Sequence, residues 1–167
     1  MFGSIDGFLK EWKDESQITA SYLAALTDAS LTQAITEGHR DLGRIAWHIA
    51  QTIPEMMHRT GLTFDGPEVD APVPSASAAI ADAYLQVSAA FAEAIDARWT
   101  DESLDLEDEM YGNQWKRGFT LTCLVSHEIH HRGQMSILMR QAGLRVPAGY
   151  GPAKEDWSKM EIPPPPI

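Results

Sequence analysis

One stretch restricts the possible folds more than any other. Between Leu124 and Ala142, the residues Leu124, His127, His131, Met135, Leu138 and Ala142 recur at three- and four-residue steps, so they share one stripe of an α-helix. A stripe of this kind has to be buried, and here it carries two histidines. Four residues apart in a helix, His127 and His131 present their imidazoles to one point. Neutral imidazole is the commonest nitrogen ligand of divalent transition metals. The helix therefore asks for a second element, packed on the same face, that brings a third ligand. Its expected span is Arg117 to Gln141, with Gly143 as the stop.

Three further stripes supply candidate partners. Ile5, Phe8, Leu9, Trp12, Ile18, Tyr22, Leu23 and Leu26 predict a first helix, interrupted by no proline. Leu42, Ile45, Ile49, Thr52 and Met56 predict a second from about Asp41 to Thr60, with Gly61 beyond it and a kink expected at Pro54. Ser75 or Ser77 opens a third, with Ile80, Tyr84, Val87, Phe91 and Ile95 inward, ending near Trp99. Residues 28–41 read as a turn-rich connection with a possible helical turn at 31–35. Residues 62–74 read as a proline-rich loop. The segment 100–116 is acidic, with turn residues Gly112 and Asn113 and no sustained alternation that would announce strands. Four amphipathic helices without a convincing strand predict an all-α four-helix bundle. The connections are long enough to run the length of a bundle, so a simple up-down-up-down order is not required. The expected organisation is one domain over residues 1–160, followed by a proline-rich tail, 161–167, with Trp157 as an anchor just before it.

Charge decides against some functions. The chain of 167 residues has a net charge of −11, with acids spread along its length, and such a surface repels nucleic-acid phosphates. No apolar run looks long enough for a membrane span, and the start Met1-Phe2-Gly3-Ser4-Ile5-Asp6 lacks signal-peptide features. The expectation is a soluble cytoplasmic protein acting on a small molecule. The single cysteine, Cys123, agrees with a reducing compartment.

The third ligand is sought on the second helix. His48 falls on its apolar face, where an isolated histidine would be a core residue satisfied by a backbone carbonyl; the His127/His131 pair makes it the candidate ligand instead. His39 and His58 fall off that face and are expected in solvent. Three neutral ligands leave positions open, as in catalytic sites. A divalent ion there would acidify water or stabilise a thiolate. Imidazoles alone suit zinc, nickel, copper or iron. Cys123, one turn before His127, reads as a small apolar residue. His130 could flank the site, Arg132 and Gln134 could orient ligands or cap backbone, and Trp47, Tyr111 and Tyr150 read as packing aromatics or cleft walls.

Together, His127-Glu128-Ile129-His130-His131-Arg132-Gly133-Gln134, Leu42-Gly43-Arg44-Ile45-Ala46-Trp47-His48-Ile49 and Val146-Pro147-Ala148-Gly149-Tyr150-Gly151-Pro152 resemble the DinB/YfiT-like family of proposed metalloenzymes. The resemblance spans residues 3 to 157. It implies a four-helix bundle with long crossover connections, often a homodimer, and a metal held by His48, His127 and His131; the expected ion is a divalent transition metal, zinc or nickel first. It also implies relatives that are thiol-dependent transferases and isomerases using low-molecular-weight thiols such as bacillithiol, mycothiol or glutathione; hydrolytic chemistry is the other expectation. Two alternatives stand beside this reading. His127-Glu128-Ile129-His130-His131 satisfies H-E-x-x-H, in which Glu128 would be the general base of a zinc peptidase, although Ile137 occupies the place of a metzincin's third histidine. The other is a metal-binding stress or sensor bundle without catalysis.

Overall fold

Each of the four stripes forms a helix. The computed structural model describes residues 1–160 together with Pro163 and Pro166, so most of the expected proline-rich tail lies outside the described residues. Helix α1 covers Ile5–Ala24 and starts at Ser4, whose side chain accepts from the Gly7 amide at 3.1 Å. Helix α2 covers Leu42–His58 behind the cap Asp41, which accepts from the Arg44 amide at 2.7 Å, and it continues through Pro54. Helix α3 covers Ser77–Arg98; the Ser77 amide and hydroxyl both donate to Asp28 Oδ1, which ties its first turn to the connection after α1. Helix α4 covers Arg117–Gln141 and closes as the sequence predicts. Gly143 takes φ 75°, its amide reaches Arg140 O at 3.1 Å and the Leu144 amide reaches Met139 O at 2.9 Å, the paired bonds of a Schellman cap.

The helices pack as a ring in the order α1, α3, α2, α4, so α1 lies diagonal to α2 and α3 diagonal to α4. Helices consecutive in the chain are thus diagonal twice, and residues 25–41 and 99–116 cross the bundle to join them. These crossovers are what the long connections permit. At one end of the core, Phe8 and Trp12 from α1 meet Phe91 from α3, with the Trp12 and Phe91 rings edge to face at 5.0 Å. Trp12 Nε1 donates to Ser88 O at 3.3 Å, so the indole N–H is buried with a partner.

Two expectations change. The acidic segment contains a hairpin, β1 (Glu107–Met110) against antiparallel β2 (Asn113–Lys116), joined by Tyr111 and Gly112 at φ 54° and 83°. Both turn residues lie in the left-handed region, as a two-residue type I′ turn requires. Four-residue strands reading EDEM and NQWK offer no alternation, and their pairing comes from the turn. The second change concerns α3, whose length and mean hydropathy of 1.2 fit a membrane span after all. Its alanines raise the average; its large residues Ile80, Tyr84, Val87, Phe91 and Ile95 form a single buried stripe in the bundle.

Candidate metal centre

Packing of α2 on α4 brings the three histidines together. His48 Nε2 lies 3.1 Å from His127 Nε2, and the three rings meet edge to face at centroid distances of 4.4 to 5.1 Å. One nitrogen from each of His48, His127 and His131 lies within 4.8 Å of the other two. A tetrahedral ion with nitrogen ligands at about 2.0–2.1 Å sets those nitrogens about 3.3–3.4 Å apart. Small side-chain rotations satisfy that spacing, and the donor set fits a divalent transition metal.

Neighbours orient the rings. His131 Nδ1 donates to Gln134 Oε1 at 2.7 Å, which leaves Nε2 with its lone pair for a metal. Thr52, one turn after His48, donates to His48 O at 2.7 Å and places its hydroxyl 3.4 Å from His127 Nε2. The electrostatics favour neutral imidazoles. Burial, then the charge of Arg40 and the neighbouring histidines, lowers His48 to about 4. Burial followed by His131, His130 and Arg40 lowers His127 to about 4, with Glu55 opposing. Burial also lowers His131, against its bond to Gln134. At neutral pH all three are therefore unprotonated, the form that ligates.

A cleft of about 410 Å³, lined in part by His131, lies between the end of the 25–41 connection and the C-terminal half of α4. His39, Arg40, His130 and Gln134 provide its polar lining, and Ile35, Ile45, Ile137 and Leu138 its apolar lining. Its size suits a small organic molecule.

The adjacent face of α4 is built differently. Glu128 is buried between α1 and α3, where its Oε2 accepts from Thr19 Oγ1 and Tyr84 OH, each at 3.0 Å. Its Oε1 has no hydrogen-bond partner, and burial pushes the carboxyl up to about 7. Arg132 pairs with the buried Glu15, donates to Glu15 O at 2.8 Å and reaches Tyr150 OH at 2.9 Å; Tyr150 in turn donates to Glu15 Oε1 at 2.7 Å. Glu128 thus turns to α1 and α3 while the histidines turn to α2, an arrangement that does not serve the peptidase reading. Arg132 is a structural tie that pins the segment after α4, and Gln134 is the residue that orients the His131 ring.

The remaining candidates divide as follows. His58 is exposed, with Nε2 3.1 Å from Phe64 O. His130 lies with its ring 5.0 Å from that of His131 and flanks the cleft. Cys123 is half-buried against the core and its thiol is pushed up by burial. Trp47 donates to Ala71 O at 3.1 Å, and Tyr111 donates to Glu55 Oε2 at 2.6 Å. Sequence reasoning missed Arg40 and Thr52. Thr52 carried a signal, since it stands one turn from His48 on the same stripe; Arg40 carried none, because only the path of the connection brings it to the site.

A sequence model of the DinB family matches residues 1–164. The uncharacterized protein YrdA of Bacillus subtilis (strain 168) is 48% identical over 162 residues, covering 97% of each chain. A DinB-like protein of Bacillus cereus ATCC 10987, solved as a crystal structure, is 46% identical and superposes with a TM-score of 0.87 over 90% of this chain and 100% of that one. A DinB-like protein of Bacillus subtilis, YjoA, shares 16% identity at a TM-score of 0.66 over 85% of this chain and 96% of its own, a likeness of fold.

Proposed function

Since the chain belongs to the DinB family, we propose that it is a divalent-metal-dependent enzyme whose ligands are His48, His127 and His131, with zinc or nickel as the ion and thiol transfer as the reaction. The observation that carries this reading is the convergence of three unprotonated imidazoles, their donor atoms within 4.8 Å, beside an open cleft. A bound ion supplies Lewis acidity, which lowers the pKa of a thiol or a water. The protein's own part is to hold the set. Gln134 fixes the tautomer of His131, burial keeps the other two rings neutral, and the cleft seats a small molecule against the His131 edge. The thiol co-substrate and a homodimeric state come to this chain from the family resemblance.

The reaction is tested with protein reconstituted separately with zinc and nickel. Each form is offered bacillithiol, mycothiol or glutathione with an electrophile such as monobromobimane, and thiol consumption is followed above the uncatalysed rate. Metal-dependent turnover that disappears in His48→Ala supports the enzyme. Full metal loading without turnover for any thiol supports the metal-binding bundle without catalysis.

A further inference from the structure

The molecule is strongly acidic, yet no carboxylate lines the cleft beside His131. Its fixed positive charge is Arg40. Every other arginine, from Arg44 on Gln51 to Arg145 on Asp156, engages a side chain or carbonyl, whereas Arg40 has no hydrogen-bond or ion-pair partner among the described residues. Arg40 is exposed, so its guanidinium is accessible to a ligand entering the cleft.

Its backbone is fixed. Gly38 turns the chain at φ 77°, Ala34 bridges Asp41, and the Leu42 and Gly43 amides donate to Gln33 O and Leu31 O, each at 2.8 Å. Arg40 therefore leaves a braced loop, directly before the α2 cap, and its charge reaches all three histidines. The same cleft is lined by Ile35 from the connection and by Ile137 and Leu138 from α4, with Ile35 61% and Ile137 56% exposed. Large aliphatic side chains lining a concave surface beside one free cation favour an amphipathic anion. A carboxylate suits the planar fork of a single arginine. A phosphate dianion suits it less, because Asp41 already occupies the α2 N-terminus, where such a group would add its second contact.

We propose that this cleft binds an organic acid with an apolar arm, its carboxylate held by Arg40 and its arm lying on Ile35, Ile45, Ile137 and Leu138, so that the substrate is presented to the histidine cluster. As a statement about substrate it rests on the metal-enzyme reading; as a statement about binding it does not. The experiment uses hexanoate and its neutral isostere hexanamide, titrated by calorimetry into the zinc-loaded and the chelator-treated full chain, with metal content measured in parallel. Hexanoate is expected to bind about tenfold or more tightly than hexanamide. Arg40→Gln should abolish that preference while keeping hexanamide affinity, metal content and thermal midpoint, and Arg40→Lys should restore part of it. Ile137→Ser should weaken both ligands equally. Hexanoate binding that is unchanged in Arg40→Gln, or that requires zinc, would overturn the proposal and leave the metal centre standing. A chain that takes up no zinc yet keeps the Arg40-dependent preference would uphold it while the metal-enzyme reading fails.

Discussion

Helix α4 carries two pairs at the same spacing, His127/His131 and Glu128/Arg132, and the two faces behave in opposite ways. On the α1 and α3 side, Arg132 has four partners, from Glu15, Thr19 and Tyr150, and Glu128 is tied to Thr19 and Tyr84. On the α2 side, one nitrogen from each histidine lies within 4.8 Å of the others, His48 and His127 half-buried and His131 buried, beside an open cleft. One residue of offset separates groups tied to neighbouring helices, with Glu128 Oε1 alone left without a partner, from ring nitrogens that converge on one point. The contrast teaches that an i, i+4 pair of polar residues on a buried helix becomes a candidate site where its donor atoms converge with those of a second helix, and not where they are spent on ties to neighbouring helices.

The strongest way to break the contrast is Arg132→Ala. If that face is structural, leaving Glu15 buried without its cation should cost about 3–5 kcal/mol, read as a fall in the urea midpoint. Next comes His131→Ala, which should reduce metal affinity by more than 100-fold, beyond the roughly 10–100-fold usual for a supporting residue. Competition with a fluorescent chelator reads that loss, and the urea midpoint of the metal-free variant should stay near that of the wild type. Gln134→Ala falls within that 10–100-fold range, because it frees the His131 ring without removing it. An effect on stability instead of affinity would place Gln134 with the structural face.

Acid sharpens the comparison further. The unfolded chain protonates His48 and His127 near their ordinary 6.5, whereas the folded protein resists until about 4. The unfolded state then holds more protons, so these two residues make metal-free protein lose stability as pH falls from 6.5 to 4. Glu128 acts with the opposite sign. Raised to about 7 from an ordinary 4.5, it is protonated in the fold while the unfolded chain is ionised, so its contribution declines as pH rises through that window. Glu128→Gln has the smallest expected effect, a change of about 1 kcal/mol or less near pH 4.5, where the amide stands in for the protonated carboxyl, with metal content unchanged. It should also steepen the acid loss between pH 6.5 and 4.5. Abolished turnover in this variant would restore Glu128 as a base.

Much of the fold was legible because burial leaves a periodic trace. The α4 span, its glycine stop and the stripe shared by His127 and His131 follow from three- and four-residue steps. The hairpin was not legible, because its register comes from Tyr111 and Gly112 in a segment without alternation. Arg40 and the Glu15–Arg132 tie were hidden for another reason: both depend on which helices become neighbours, and periodicity does not encode that. Glu128 marks the boundary. Its 100° offset from His127 could be read, but which neighbours waited there could not.

The most direct test of the metal centre is elemental analysis by mass spectrometry, on untagged protein purified without chelator, of the wild type and the three variants His48→Ala, His127→Ala and His131→Ala. The account predicts about one equivalent of zinc or nickel in the wild type and sharp loss in every variant. Stoichiometric metal retained in all three variants, or none taken up by the wild type after incubation with zinc, nickel or manganese, would contradict it.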